Sequence, residues 1–230
     1  MQPQTTPEIV ARPGLALLLD ILIAPRRAYA TIAVTREWWP AALVVGACIV
    51  AQNILTVPAD LNVLSLEHVP PPLGGNTVAN IAANTVIQLL WQAFTWNVVA
   101  SLFANFCAAG RPVYGLMYRT FFALAANAAV PIGLGLLATG IVIHARDPSA
   151  YHSVYQFVNA LPISLALFAS PNNPREADFL SSFDLPTIWS VLLISFGGRA
   201  IGGIKLVPAL IVPCAIVFIS ALIFNWPPAP

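Results

Sequence analysis

Charge is scarce in this chain. Aspartate, glutamate, lysine and arginine together make up 8% of its 230 residues, where a soluble domain carries about 25%. So few charges cannot cover a water-facing surface, and the chain reads as an integral membrane protein. A net charge of +1 excludes a general nucleic-acid binder, which needs basic residues to displace counterions. Cys48, Cys107 and Cys214 all fall in apolar runs without ligand-like spacing. They are read as small buried hydrophobes, giving neither a disulfide framework nor a metal site. His68, His144 and His152 lie near Glu67 and Asp147 but match no recognised metal spacing, and they read as solvated loop residues. No G-x-S-x-G, G-x-x-x-x-G-K-[ST] or H-E-x-x-H motif occurs. Neither an enzyme nor a cofactor is expected.

Hydrophobic residues make up 58% of the chain, and the mean hydropathy is +0.79. The polar, proline-bearing stretch Met1–Pro13 reads as loose. Leu15, Leu18, Leu19 and Leu22 then recur at helical spacing, with Asp20 off the stripe. About 20 residues are needed to cross a bilayer, so this helix is expected to lie on the interface. It is not read as a cleaved signal, because Asp20 interrupts it, Arg26 and Arg27 follow, and no small-residue cleavage site is present. Pro25 suits the first position of a second short helix, with Tyr29 and Ile32 as its lipid side. Arg26 and Arg27 are expected among headgroups, and Trp38 and Trp39 mark the entry to the hydrocarbon. Residues 1–38 form this N-terminal region. Residues 39–226 form an all-α membrane bundle with spans near 39–57, 79–108, 120–143, 185–201 and 207–226. Pro58–Asn76 reads as a loop, and Pro131 should kink the third span.

Val154–Ala169 is apolar enough to pose as a sixth span, although Gln156, Asn159, Pro162 and Ser164 interrupt it. Charge placement decides. With five spans and the N-terminus inside, Arg12, Arg26, Arg27, Arg36, Arg111, Arg119, Arg199 and Lys205 lie inside, and Arg146 and Arg175 outside. A sixth span would move Arg199 and Lys205 out and Arg175 in. The positive-inside rule favours five, leaving Val154–Ala169 as short amphipathic helices on the outer surface.

Polar residues inside the spans are ordered. Asn76, Asn80, Asn84, Gln88 and Gln92 step by four along the second span, and Asn97, Ser101 and Asn105 repeat the step. Amides in a bilayer need partners. Asn80, Asn84, Gln88 and Gln92, with Asn127 from the third span, are therefore the candidate lining of a polar cleft; the alternative is plain interhelical hydrogen bonding. Gly198 and Gly202 form a small-xxx-small pair that permits close helix approach. Arg199 and Lys205 close the fourth span. With Arg26 and Arg27 they are candidate headgroup contacts, unless they simply snorkel. Asp184 is placed to cap the fourth span rather than to relay protons.

Two stretches carry a family resemblance. ILIAPRRAYATIA followed by EWWPAAL resembles the start of bacterial Yip1-domain proteins, which often read Leu-x-x-Pro-Arg-x-x-aromatic-x-x-Ile before the first span. FLSSFDLPTIWSVLLISFGGRAIGGIK resembles their fourth span at Asp184, Leu185, Ile188, Trp189, Gly198 and Lys205. The two stretches bracket nearly the whole domain. The resemblance implies five membrane helices, an inner N-terminus and a non-enzymatic role in membrane organisation or in partner or lipid binding. In a bacterium it implies the inner (cytoplasmic) membrane, with the C-terminus outside. The aspartate-leucine-tyrosine-glycine-proline signature of the trafficking relatives, which are linked to Rab-type GTPases, is absent. A small transporter or lipid-translocating protein using the amide ridge is the alternative. Membrane lipids are expected partners; protein partners and self-association stay open, and nucleic acid is not expected.

The charge bias makes a topological prediction. In a background with the three native cysteines replaced, single cysteines at 68, 147 and 173 should react with an impermeant maleimide from outside, and those at 27 and 113 should not. Outside labelling at 113 would reverse the orientation.

Overall fold

The computed structural model describes residues 14–225 apart from Glu67, Val69, Pro71, Ala109, Pro148, Ser149, Pro171 and Asn172. The tail Met1–Pro13, the pair Pro171-Asn172 that follows Val154–Ala169, and the terminal WPPAP lie outside these residues. The described chain is helical: α1 (Leu15–Ile23), α2 (Pro25–Thr35), α3 (Trp39–Leu66), α4 (Thr77–Ala108), α5 (Tyr114–Ala128), α6 (Val130–Ala145), α7 (Val154–Val158), α8 (Pro174–Ser181), α9 (Leu185–Gly202) and α10 (Leu206–Asn225). Five segments are long and apolar enough to cross a membrane: α3, α4, α5 with α6, α9 and α10. The protein is a multi-pass membrane helical bundle.

Val154–Ala169 is not among the spanning segments. It forms the five-residue α7, a bend and a short 3-10 turn at Leu165–Phe168. A single bridge between Ser164 and Asp184 ties it to the start of α9. Asp184 caps α9 as expected, its Oδ1 accepting the Thr187 N–H at 2.7 Å. The third span is interrupted at Ala129, two residues before Pro131. There the missing amide and the ring's clash with the Asn127 carbonyl prevent a continuous helix.

Two expectations are corrected. Pro58–Leu66 is helix, not loop: α3 runs through Pro58 to Leu66. Ala59 and Val63, four residues apart, are buried in a satellite cluster with Ile143, Tyr151 and Ala160. That burial outweighs one lost hydrogen bond. The other correction concerns the N-terminal pair. Tyr29 and Ile32, assigned to lipid, are in the core at 5% and 0% exposure. The Tyr29 hydroxyl donates to the Leu193 carbonyl of α9 at 3.0 Å. In α1 the enclosed face is Leu17, Leu18, Ile21 and Asp20, whereas Leu15 and Leu19 are exposed. The buried Asp20 pairs with Arg27 at 3.7 Å, because a carboxylate taken out of water needs a partner. The N-terminal pair is therefore part of the bundle.

Small residues let the helices meet. A Cβ on Gly133 of α6 would lie 3.2 Å from Val45 Cα, and one on Gly140 would lie 3.1 Å from Gln52 Cα, so α3 and α6 approach backbone to backbone. On α9 three glycines receive side chains from three other helices, α2, α4 and α5. Gly197 faces Leu124 and the Tyr29 ring, Gly198 faces the Phe103 ring, and Gly202 faces Cys107 and Phe121. The Phe103 and Phe121 rings in turn meet edge to face at 5.4 Å.

Gly198→Leu should force α4 from α9 and lower the detergent-state melting temperature, since overpacking a tight contact costs about 1–3 kcal/mol. Adding Phe103→Ala should restore part of the loss by vacating the space. A neutral Gly198→Leu would mean that this face meets lipid.

Candidate functional site

A polar recess lies between α3 and α4. These helices run antiparallel and are joined by side chains rather than by apolar packing alone. Asn53, 2% exposed, donates through Nδ2 to Thr85 Oγ1 and to Gln88 Oε1, both at 3.3 Å, and to the Ile49 carbonyl at 3.1 Å. Asn53 and Gln88 also line a cleft of about 660 Å³. Its lining comes from Ile49, Gln52, Asn53, Thr56, Val57 and Asp60 of α3, and from Asn84, Ile87, Gln88, Trp91 and Gln92 of α4. Ile132 and Leu136 of α6 and Phe157 of α7 complete it. From Ile49 to Asp60 the cleft follows α3 for about 17 Å at the helical rise.

The chemistry changes along that length. Trp91, Ile49, Ile132 and Leu136 make one end apolar. The middle is amide-lined. The Asp60 carboxylate lies toward the other end, where α3 meets the Phe157 cluster. Gln52 Nε2 donates to Thr56 Oγ1 at 3.1 Å, while Gln52 Oε1 is buried without a donor. An unmet buried acceptor costs about 1–3 kcal/mol. Asn84, Gln92 and Asp60 make no side-chain hydrogen bond or ion pair among the described residues. No lysine, arginine or histidine lines the cleft. The recess thus offers acceptors and donors, one negative charge and an aromatic wall. It presents no pairing of nucleophile and base. Among the described residues no three His, Cys, Asp or Glu side chains are grouped to hold a metal.

The anticipated residues divide. Asn84, Gln88 and Gln92 line the cleft. Asn80 does not: it is 3% exposed and donates to the Asn76 carbonyl at 2.9 Å. A step of four residues turns about 40° around a helix, so the ridge leaves the cleft at both ends. Asn127 is likewise elsewhere. Fully buried on α5, it donates to the Glu37 carbonyl at 2.7 Å and to the Ala123 carbonyl at 2.8 Å, and so ties the α2–α3 turn to the bundle. The candidate headgroup residues Arg26, Arg27, Arg199 and Lys205 are all exposed, and Arg27 is also paired with Asp20. Gln52, Thr56 and Asp60 were not foreseen as cleft residues. They too step by four, and ending the first span at Val57 left Asp60 outside it.

In comparison with known proteins, the chain matches no family model, no curated protein and no solved structure.

Water access separates a cleft from mere packing. Cysteines at 84 and 92 should react with a small polar thiol reagent. Cysteines at 86 and 90, whose native Val86 and Leu90 are 55% and 65% exposed on the outer surface of α4, should face lipid and stay unreactive. Equal reactivity at all four positions would mean that α4 has no distinct polar side.

Proposed function

We propose that this is a non-enzymatic membrane protein of the Yip1 type whose α3–α4 cleft binds the polar head of an amphiphile. The observation that carries this reading is the unpaired Asp60 carboxylate sharing one recess with Gln52, Asn84, Gln88 and Gln92. A carboxylate within a spanning helix is costly and stands as a functional-site hypothesis by default. With no cation in the lining, the natural counterpart is an ammonium or another hydrogen-bond donor brought by the ligand. Trp91, at the apolar end, would pack against the ligand's hydrocarbon. With the N-terminus inside, as the charge bias favours, the cleft lies in the outer half of the bilayer. The family resemblance supports the non-enzymatic role, and α4 and α10, the least enclosed spans, offer surface for a partner helix or a second copy.

A second reading, translocation of such a ligand, is favoured by the depth of the amide-lined stretch. A scaffold or receptor gives binding without flux in liposomes, whereas a translocator gives both.

The test is binding of a spin-labelled ethanolamine-headgroup lipid to protein in neutral detergent. Asp60→Asn should weaken binding about tenfold, equivalent to ~1.4 kcal/mol, and Asn84→Leu with Gln88→Leu should weaken it further. A glycerol-headgroup lipid should bind less well than the ethanolamine lipid, and Asp60→Asn should not affect it. Unchanged ethanolamine-lipid binding in both variants would remove the cleft from consideration.

A further inference from the structure

We propose that a second pocket, where α3 and α5 begin, binds the phosphate of an anionic lipid headgroup through Arg36 and Arg119. The pocket measures about 580 Å³ and shares no lining residue with the α3–α4 cleft. It therefore stands or falls separately from the reading of that cleft.

The α2–α3 turn builds one side. Arg36 ends α2 in the left-handed region, at φ 54°, a conformation uncommon for a residue with a side chain. Its N–H closes on the Ile32 carbonyl at 2.9 Å. The turn sets Arg36 and Trp38, two residues on, in one recess. The opposite side is α5, which contributes Tyr118, Arg119 and Phe122. An aromatic wall supports both sides: Trp38 meets Phe122 edge to face at 5.5 Å, and Tyr118 stacks on Phe122 at 6.3 Å. The Tyr118 hydroxyl donates to Asn97 Oδ1 of α4, fixing the ring.

Charge gives the pocket its ligand. Two guanidiniums line it, and no carboxylate does. Neither arginine joins an ion pair among the described residues. The neighbouring Glu37 is engaged elsewhere, its Oε2 accepting the Gly14 N–H at 2.7 Å. Arg36 Nε is buried without a hydrogen-bond partner, a donor that water does not reach. Two like charges in one recess repel each other, and an anion with several acceptor oxygens meets both. The guanidinium fork matches phosphate oxygens two at a time. Trp38 and Phe122 add apolar surface next to the charge, which suits a phosphate ester carrying acyl chains better than a free phosphate. Tryptophan beside basic residues is also the composition of the headgroup level of a bilayer.

The experiment is native mass spectrometry of the protein in neutral detergent, titrated with phosphatidic acid, with phosphatidylcholine, and with inorganic phosphate or glycerol phosphate. The wild type should retain one phosphatidic acid with at least tenfold preference over phosphatidylcholine. Arg36→Gln and Arg119→Gln should each weaken that binding about tenfold, and Arg119→Lys should weaken it in part, because lysine lacks the fork. Arg199→Gln, outside the pocket, should leave it unchanged. Should the pocket variants not fold, phenylglyoxal modification of the wild type decides: phosphatidic acid should protect Arg36 and Arg119 and not Arg26. Equal binding of inorganic phosphate would reassign the site to a soluble anion and overturn the lipid. Undiminished lipid binding in both glutamine variants, or no protection of the two arginines, would overturn the site itself.

Discussion

Close approach at the glycine face of α9 is the constraint on which the rest of the bundle depends. Gly197, Gly198 and Gly202 leave room for Leu124 and Tyr29, for Phe103, and for Cys107 and Phe121. Helices α2, α4 and α5 can therefore reach one span together. In lipid the tails are as apolar as the side chains, so burial of hydrocarbon does not by itself favour association, and intimate van der Waals contact has to supply it. The Tyr29 hydroxyl on the Leu193 carbonyl adds a polar lock that works only because Gly197 lets the ring come near. The same economy appears at α3 and α6, where Gly133 and Gly140 bring two backbones together.

This framework separates two polar recesses of opposite character. The α3–α4 cleft holds one carboxylate and several amides, and the pocket at the α2–α3 turn holds two arginines. Both draw on α4, whose amides wind slowly around the helix. Asn84, Gln88 and Gln92 reach the first recess and Asn97 the second. Asp60 and Trp38 are 22 residues apart in the chain and nearly that far apart along α3, about 33 Å at the helical rise. The acid and the basic pair therefore sit near opposite ends of the bundle and do not neutralise each other. Asn127 holds the α2–α3 turn beside the basic pocket by donating to the Glu37 carbonyl, a structural role that its position in mid-span did not disclose.

Much of the architecture was legible because bilayer physics is coarse. A run of about 20 uncharged apolar residues has few alternatives to a helix, and the five spans, the interruption at Pro131 and the cap at Asp184 followed from such rules. The non-spanning nature of Val154–Ala169 was legible from charge placement rather than from hydropathy. Half of the cleft was legible too, since amides stepping by four must share a side over short stretches. The other half was not. Pro58 looked like the end of a span, and nothing local reveals that Ala59 and Val63 are held by Tyr151 and Ala160, some 90 residues later. Cutting the helix there removed Asp60 from view.

By itself the sequence determined that the chain crosses a membrane, that its spans are helices, and where its charges accumulate, because these depend on local composition and on the cost of placing charge in hydrocarbon. Only the tertiary structure decided which amides face a recess and which face a backbone carbonyl. Asn127 and Asn84 are alike as residues; one is fully buried against the α2–α3 turn and the other lines an open cleft. Tertiary packing also moved Tyr29 and Ile32 from an expected lipid face into the core. A helix's apolar side does not say what will cover it. Lipid and protein are nearly equivalent solvents for an apolar side chain, and for Tyr29 the room that Gly197 leaves for its ring decides.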